Sequence, residues 1–586
     1  MGTRYLLPAL LVTFLNTGLF ALGEPMTQIF DVRRLVGSHV RHRMIVEPAA
    51  MEESRVFLDD DTRFLSPHDL LVILESRVPG IESWRILEGR LECTAQPEQL
   101  AIIESTIHDL ESALPRPITI ECLFVPTALA THAVLADVVA RGDELMALSG
   151  VTYLNRLTLD GVAVALSQER RVSAHDNFEV HITGPSPVTN PTITEFAAGV
   201  RFQVVPYLLP NARSVVLEFA GRASTVAFRK AAIGEEYSAL ELPIIDEAVV
   251  STRVRLPIGQ YAVVARVGGA DGGVFIARAT APTVAPLADT RCWSYTLAPL
   301  FPLAERIWPA RDPLGVGVFA PPRNFEGVGL AEELVEESRK RVFEASRISD
   351  LSSKAGPTLW WSESRLIVHG TAAEHSKVQK GLQSYYDRKF WNFSVTFTRL
   401  AVPRAVLPEL LKEPGVLDSS WRQTIAQHKN VGLEEYSVLT FAETAFGLRH
   451  GRTHFYVRDF EVAGGCMVAS PLGDPVVAPL QGGVLLEASL LVNPARPDCV
   501  DLRLLGAARE DVVIRPRVLE FPILIAADGN DFSVEMKKPV QIELASARLT
   551  TWNDTRTVLL GRDVIIEAAI EADSAYVTIV RVEEAP

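Results

Sequence analysis

The feature that most constrains this chain is that it repeats itself. Arg90–Phe124 lies without a gap over Arg365–Arg399, every position shifted by 275. Few residues are identical, but the pattern agrees. In the first segment Leu100, Ile103, Ile107, Leu110 and Leu114 recur at helical spacing behind Pro97, and Val378, Leu382 and Tyr385 hold the same stripe in the second. Runs of β type flank each stripe: Leu91–Thr94 and Ile118–Val125 in one, Leu366–His369 and Phe393–Leu400 in the other. The expectation is a strand-helix-strand unit that occurs twice, with equivalent helices over 97–114 and 372–389.

Three further blocks follow in the same order. Leu157–Val180 matches Leu439–Val462 at an offset of 282, Gly199–Phe219 matches Gly483–Leu505 from an offset of 284, and Leu242–Arg266 matches Lys538–Arg562 at 296. Alternating apolar and polar residues make these blocks strands, with a turn at Pro210-Asn211. An offset that only grows is what duplication followed by surface-loop insertion produces. Between the copies Pro282–Pro322 carries eight of the 37 prolines, which disfavours a helix or a central strand and reads as a linker. Helix-like inserts, Ala128–Leu148 and Ala405–His428, precede the strand-rich part of each copy.

At 586 residues the chain exceeds what one core holds, and 48% hydrophobic against 22% charged residues is the balance of an ordered protein. A net charge of -15 with no basic cluster argues against nucleic acid as a partner. Residues 1–23 read as an export signal: Arg4, the apolar stretch Tyr5–Phe20, then Ala21-Leu22-Gly23 as a small-x-small cleavage site, with an uncleaved anchor as the rival reading. No cysteine follows that site, so a lipid-modified N-terminus is not supported, and no later run of 18 apolar residues offers a helical span.

Gly199-Val200, Val205-Pro206, the turn at Pro210-Asn211, Val215-Val216-Leu217, and Val254-Arg255-Leu256-Pro257 running into Gly259–Val264 resemble the core signature of the bacterial secretin family. Gly482-Gly483-Val484 and Thr557–Gly561 hold those places in the second copy, and the units at 90–124 and 365–399 resemble the small ring-forming domains that precede a secretin core. Thr27–Leu35 is similar to the strand that opens such proteins. The resemblance implies an envelope protein that works by assembly. This chain departs from the family pattern in having two cores, and in the short stretch Ala220–Glu241 where long hairpins are expected.

No catalytic, cofactor or metal site is expected. His369, Glu374 and His375 lack the HExxH spacing, and Thr94, Gln99 and Leu100 stand at their places in the other copy. His175 and Asp176 point to opposite faces of a strand, so with Glu179 and His181 they do not converge. Asp59–Asp61 and Asp528–Asp531 read as solvated turns, Gly268–Gly273 as a flexible loop, and Asn392-Phe393-Ser394 and Asn553-Asp554-Thr555 as formal sequons only. Of the five cysteines, Cys93 and Cys122 have the apolar counterparts Val368 and Phe397, which suggests that both point into a core. They form either a disulfide or two buried thiols. For Cys466 and Cys499 the sequence leaves pairing open.

The fold class expected is therefore α+β: two tandem copies of a small strand-helix-strand domain followed by a mainly antiparallel β domain. The boundaries run as signal 1–23, opening strand segment 24–63, small unit 64–127, β domain 128–281, linker 282–327, small unit 328–403 and β domain 404–586. The expected function is non-enzymatic, as a structural or assembly component of a type II/III secretion-type apparatus in the periplasm or outer membrane, with other envelope or secretion proteins and further copies of itself as partners. The rival is a soluble periplasmic binding module that kept the fold without a pore. Neither β domain alone is expected to show a lipid-facing wall, because Arg201, Gln203, Val205 and Tyr207 mix one face of the strand Val200–Leu209.

Overall fold

The computed structural model describes residues 25–36, 38–42, 58–130, 138–183, 186–232, 239–268, 272–282, 292–297, 299, 340, 358–362, 365–413, 416–428, 431–461, 474–492, 496–526, 532–570 and 573–585. The export-type segment 1–23, Cys466, the Asp528–Asp531 run and residues 269–271 of the glycine loop lie outside them.

The chain opens with β1 (Met26–Asp31), α1 (Arg33–Val36), β2 (Ser38–His42), β3 (Leu58–Arg63), α2 (Pro67–Arg77), β4 (Ser83–Leu87), β5 (Arg90–Ala95) and α3 (Pro97–Ser112). β1, β5 and β4 form an antiparallel sheet in that order. Helix α2 starts at a capping box, in which Ser66 Oγ accepts from Asp69 N and the Asp69 carboxylate accepts from Ser66 N. The α3 stripe, Leu100, Ile103, Ile107 and Leu110, packs with Leu91 and Cys93 of β5 in one core. Asp59–Asp61, expected as a turn, instead lies within β3, where Asp61 pairs with Val40. The β2 ladder satisfies the backbone there, which outweighs the poor strand preference of aspartate.

The strand expected to close this small unit does not return to it. β6 (Pro117–Pro126) enters a large sheet between two later strands. Cys93 and Cys122 therefore belong to different cores and are free, buried thiols, so the disulfide reading falls and the thiol reading holds. After β6 come α4 (Val138–Leu145), β7 (Thr152–Leu159), β8 (Val164–Thr183), β9 (Ser186–Leu208), β10 (Ser214–Ala231), β11 (Leu240–Pro257), β12 (Ala262–Val267) and β13 (Gly273–Thr280). Next is a second small sheet, β14 (Cys292–Thr296), β15 (Thr358–Ser362) and β16 (Arg365–His369), in the order β14-β16-β15, with α5 (Ala372–Lys389) following. β14 lies within the proline-rich segment expected as a linker. It is an edge strand, the position where neighbouring prolines are tolerated.

The remainder is β17 (Asn392–Pro403), α6 (Leu407–Leu410), the short pair β18 (Leu411–Glu413) and β19 (Val416–Leu417), α7 (Trp421–Gln427), β20 (Gly432–Phe441), β21 (Ala445–Glu461), β22 (Asp474–Gln481), β23 (Gly483–Val492), β24 (Cys499–Ala526), β25 (Phe532–Leu559), β26 (Asp563–Ile570) and β27 (Ser574–Ala585). Two large antiparallel sheets result. One runs β26-β27-β17-β20-β12-β13-β6-β7, the other β25-β24-β23-β21-β11-β10-β9-β8, with β22 extending β23 along β21. In each sheet the first four strands come from residues after 390 and the last four from residues before 281, and the two sets run in the same order. The fold is mostly antiparallel β with open sheets.

The sheets face each other across one core in which Phe275 of one meets Phe202 and Phe219 of the other, ring centroids 6.1 and 6.5 Å apart. Burying one such ring contributes about 1.5–3 kcal/mol. Val164 and Leu166 hold in the first half the core places of Phe446 and Leu448 in the second. Gly259 and Gly561 make the same turn, with φ of 82° and 72°, and donate to Ala279 O and Val582 O, both at 2.8 Å. The register shift between Val263 and Ala265 recurs between Ile565 and Glu567. These pairs set the fourth block at an offset of 302, which corrects the 296 read from the sequence. The stretch Ala220–Glu241, expected as short, carries the upper part of a hairpin whose strands are 18 residues long, and the matching strands β24 and β25 have 28 each. The face of β9 that carries Val205 and Tyr207, with Leu209 just beyond the strand, is buried under the second small unit and is not exposed to solvent or lipid there.

Candidate functional site

The residues examined for chemistry in the sequence are not brought together. Glu374 closes a capping box with Thr371 at the start of α5, and its hydrogen bonds from the Thr371 backbone N–H and hydroxyl hold its carboxyl below the usual range. His375 is buried in that helix, while His369 lies 3.5 Å from Asp109 of α3. Among the described residues no three His, Cys, Asp or Glu side chains gather as a metal ion requires. His175 stands beside a bulge in β8, and the side chains of Asp176, Glu179 and His181 lie outside those described. The sequon residue Asn392 is buried, its amide accepting from Arg255 N at 3.1 Å and donating to Arg255 O at 2.7 Å, so it acts as a ladder partner inside the protein.

The best-formed polar cluster surrounds Glu121 on β6. Its carboxylate accepts from Tyr261 Oη at 2.9 Å, Tyr153 Oη at 3.1 Å and Arg278 Nη2 at 2.6 Å. Burial, with the neighbouring carboxylate, pushes the Tyr261 phenol well up. Arg278 also lies over the Tyr261 ring and reaches Asp143 of α4. Each group has its partner, and none is poised as a nucleophile with a base. The cluster fastens α4 to the sheet.

What the fold does build with care is the joint between its two halves. β11 pairs with β21 over eight residues, from Ile244 opposite His454 to Ser251 opposite Gly447, and in the other sheet Ala265 of β12 lies opposite Val438 of β20. Three ion pairs cross it: Arg449 with Glu247, both almost wholly buried, Arg452 with Asp246, where a second contact measures 3.0 Å, and Arg266 with Glu435 at 3.7 Å. Thr252 Oγ1 donates to Leu439 O at 2.7 Å. Higher up, Arg229 of β10 holds Glu543 of β25 at 2.6 and 2.7 Å, and Glu543 accepts from Val457 N at 3.0 Å. The second small unit locks onto the first half through the buried pair Arg365–Asp160 at 3.1 Å, with Gln379 Nε2 donating to Pro210 O and Gln383 Oε1 accepting from Asn211 N. No sequence pattern announces these contacts, since partners stand some 200 residues apart. Glu247 and Arg449 stand in strands that carry several other charged residues, so residue type does not single them out.

The architecture is thus one of stacked antiparallel sheets joined along strand edges, with small α/β units beside them. Among solved structures it is similar to the secretin domain β-barrel of InvG from the Salmonella SPI-1 injectisome, at 12% identity over 46% of this chain and 90% of that one, with a TM-score of 0.27. It is also similar to the type II secretion system secretin GspD of E. coli K12 (10% identity, 54% of this chain and 70% of that one, TM-score 0.20) and to ExeD of Aeromonas hydrophila (9% identity, 96% and 90%, TM-score 0.19). No family model matches the chain, and no curated protein does.

Proposed function

We propose that this chain is a non-enzymatic structural component of a secretion-type apparatus in the bacterial cell envelope, built from two copies of one secretin-like module. The observation that carries this reading is the joint: two halves with one strand order meet edge to edge and continue each other's sheets, the geometry of a part made to be added to. The sequence blocks that resemble the secretin core lie in β9–β12 and β23–β26 of those halves, and the small units precede them. Residues 1–23 supply the export signal, and periplasm or outer membrane is the destination. No helix among the described residues is long and apolar enough to cross a membrane, and strands are not bound by that test.

The test is fractionation of a Gram-negative host that expresses the full chain. We expect the protein in the envelope fraction, released by detergent as particles far larger than 64.3 kDa. A monomer freed by osmotic shock without detergent would replace this reading with that of a soluble periplasmic binding module.

A further inference from the structure

In the first half Ala265, Phe275 and Phe124 lie side by side across β12, β13 and β6, and all three belong to the core between the sheets. The rings of Phe124 and Phe275 stand 5.0 Å apart, and Phe275 reaches Phe202 and Phe219 of the facing sheet, so this end of the core is filled. The same row in the second half, across β26, β27 and β17, is Glu567, Thr578 and Arg399. Leu486 and Leu504 stand there in place of Phe202 and Phe219. Four rings are thus replaced by two leucines, a threonine and an arginine, and the space does not close. A cavity of about 130 Å³ opens between the sheets, lined by Arg399, Glu434, Glu510, Thr550, Glu567 and Thr578.

The charges around this cavity are paired, with one exception. Glu510 takes two arginines, Arg399 from β17 and Arg548 from β25, and the Arg548 guanidinium also lies 3.8 Å from the centre of the Tyr576 ring. Glu434 accepts from Tyr436 Oη at 2.8 Å and lies 3.6 Å from Arg399. Among the described residues Glu567 has no hydrogen-bond or ion-pair partner, and the hydroxyls of Thr550 and Thr578 have none either. Two cations face three carboxylates, and the negative charge left over sits at Glu567. Burial raises the Glu567 carboxyl, as it does for an anion that has lost water without gaining a partner. An unfilled hole and an unpaired carboxylate each cost stability, and the first half shows that this fold accepts the apolar packing that avoids both.

We infer that the second half binds a small organic cation in this cavity: a primary amine in its ammonium form, its charge met by Glu567 and its N–H groups shared with the Thr550 and Thr578 hydroxyls. Its carbon chain takes the place that Phe275 and Phe124 fill in the first half. At roughly 30 Å³ for a water-sized group, the cavity admits a ligand of about four or five non-hydrogen atoms and would hold a bare ion loosely. With Glu510 engaged by both arginines, the single charge left over suits a monovalent cation and not a divalent metal. The mouth lies beside Glu434, whose side chain is 44% exposed. The inference stands apart from the envelope role proposed above.

The experiment titrates full-length protein with n-butylammonium chloride by calorimetry, with saturation-transfer NMR as a second readout. Binding should saturate at one site per chain. 1-Butanol, which has the same shape without the charge, and potassium chloride should each bind at least tenfold more weakly. Glu567→Gln should weaken n-butylammonium at least tenfold, and because this variant removes an unpaired charge, its loss of binding is not a loss of structure. Thr578→Phe restores the ring that Phe275 supplies in the first half and should abolish binding. Should that variant fail to fold, Glu567→Gln and the 1-butanol comparison decide. Glu98→Gln, exposed on α3, should change nothing. Binding that does not saturate, equal affinity for 1-butanol or potassium, or a Glu567→Gln variant that binds like the parent would each overturn the inference. So would a tenfold preference for Nα-acetyl-lysine methylamide over n-butylammonium, which would assign the cavity to a basic side chain of a protein partner.

Discussion

The two halves of the sandwich share a frame and differ in what covers it. On the outer face of β9 and β10 the first half carries Val205, Tyr207 and Val216, with Leu209 in the turn between them, all buried beneath α5 and the second small sheet. At the matching places the second half has Ser489 and Asp501, and Leu491, which is 49% exposed. A similar change occurs under the helical inserts. Arg278 in the first half and Arg581 in the second occupy the same place, but the first meets the buried Glu121 at 2.6 Å, whereas the second pairs with the exposed Glu583 at 2.5 Å and lies 3.8 Å from Asp563, whose carboxylate is taken by Trp421 Nε1 at 2.8 Å. The inner faces of the halves are set by the core they share. The outer faces are set by what docks on each.

The largest test of that contrast is Arg365→Ala. Removing one member of the buried pair leaves Asp160 charged and enclosed, and we expect a loss of about 3–5 kcal/mol by denaturant titration. The position matching Asp160 in the second half is Ala442, where no such pair exists, so Ala442→Ser should cost far less. Comparable losses would mean that the first half owes nothing special to the small unit docked on it.

Next is the pair Arg278→Ala and Arg581→Ala. The first strips a buried carboxylate of its charge partner and should cost about 3 kcal/mol, whereas the second breaks a half-exposed pair with Glu583 and should cost less than about 1 kcal/mol. Equal costs would erase the asymmetry beneath the inserts.

Gly259→Ala and Gly561→Ala probe what the halves share. Each glycine holds a left-handed φ with open space where a Cβ would stand, so the cost is backbone strain alone, about 1 kcal/mol at each site. Thermal melts that separate the two variants by more than that would show that the turns are not equivalent.

The smallest effect is one of pH. Burial, with Glu510 nearby, raises the Glu567 carboxyl above 4.5, although Arg399 opposes the shift. The folded state then holds a proton that the unfolded chain has lost, so stability falls as pH rises from about 4.5 toward the folded value and is level above it. Glu567→Gln should therefore stabilise the monomer at neutral pH and change little below pH 4. The matching residue in the first half, Ala265, is apolar and sits inside the joint, so the first half carries no such penalty.

Much of this was legible in the sequence for a local reason. The stripes of α3 and α5 depend on spacing within one element, and both segments are helices. Strand partnership is not local. β6 follows α3 by a few residues, yet it pairs with Phe275 and its neighbours some 150 residues on, and nothing beside β6 says so. The fourth block slipped by six because strands have a period of two: an even shift leaves each side chain on its own face, and the apolar pattern cannot detect it. Asp61 shows the opposite failure, a strong local turn signal overruled by a ladder. The joint was invisible because its charged pairs are single residues on separate strands. The reading that no catalytic constellation is present rests on residue types alone.

The ten-residue difference between the hairpins has a consequence for reach. At about 3.3 Å per residue, β24 and β25 extend some 30 Å further than β10 and β11. A flat surface set against that end of the protein meets β24–β25 before it meets β8–β9, whose strands have 20 and 23 residues, or the shorter β10–β11. An antibody or a bulky protease approaching from that side should thus find β24–β25 first, and shortening it to the length of β10–β11 would shift that preference to β8–β9.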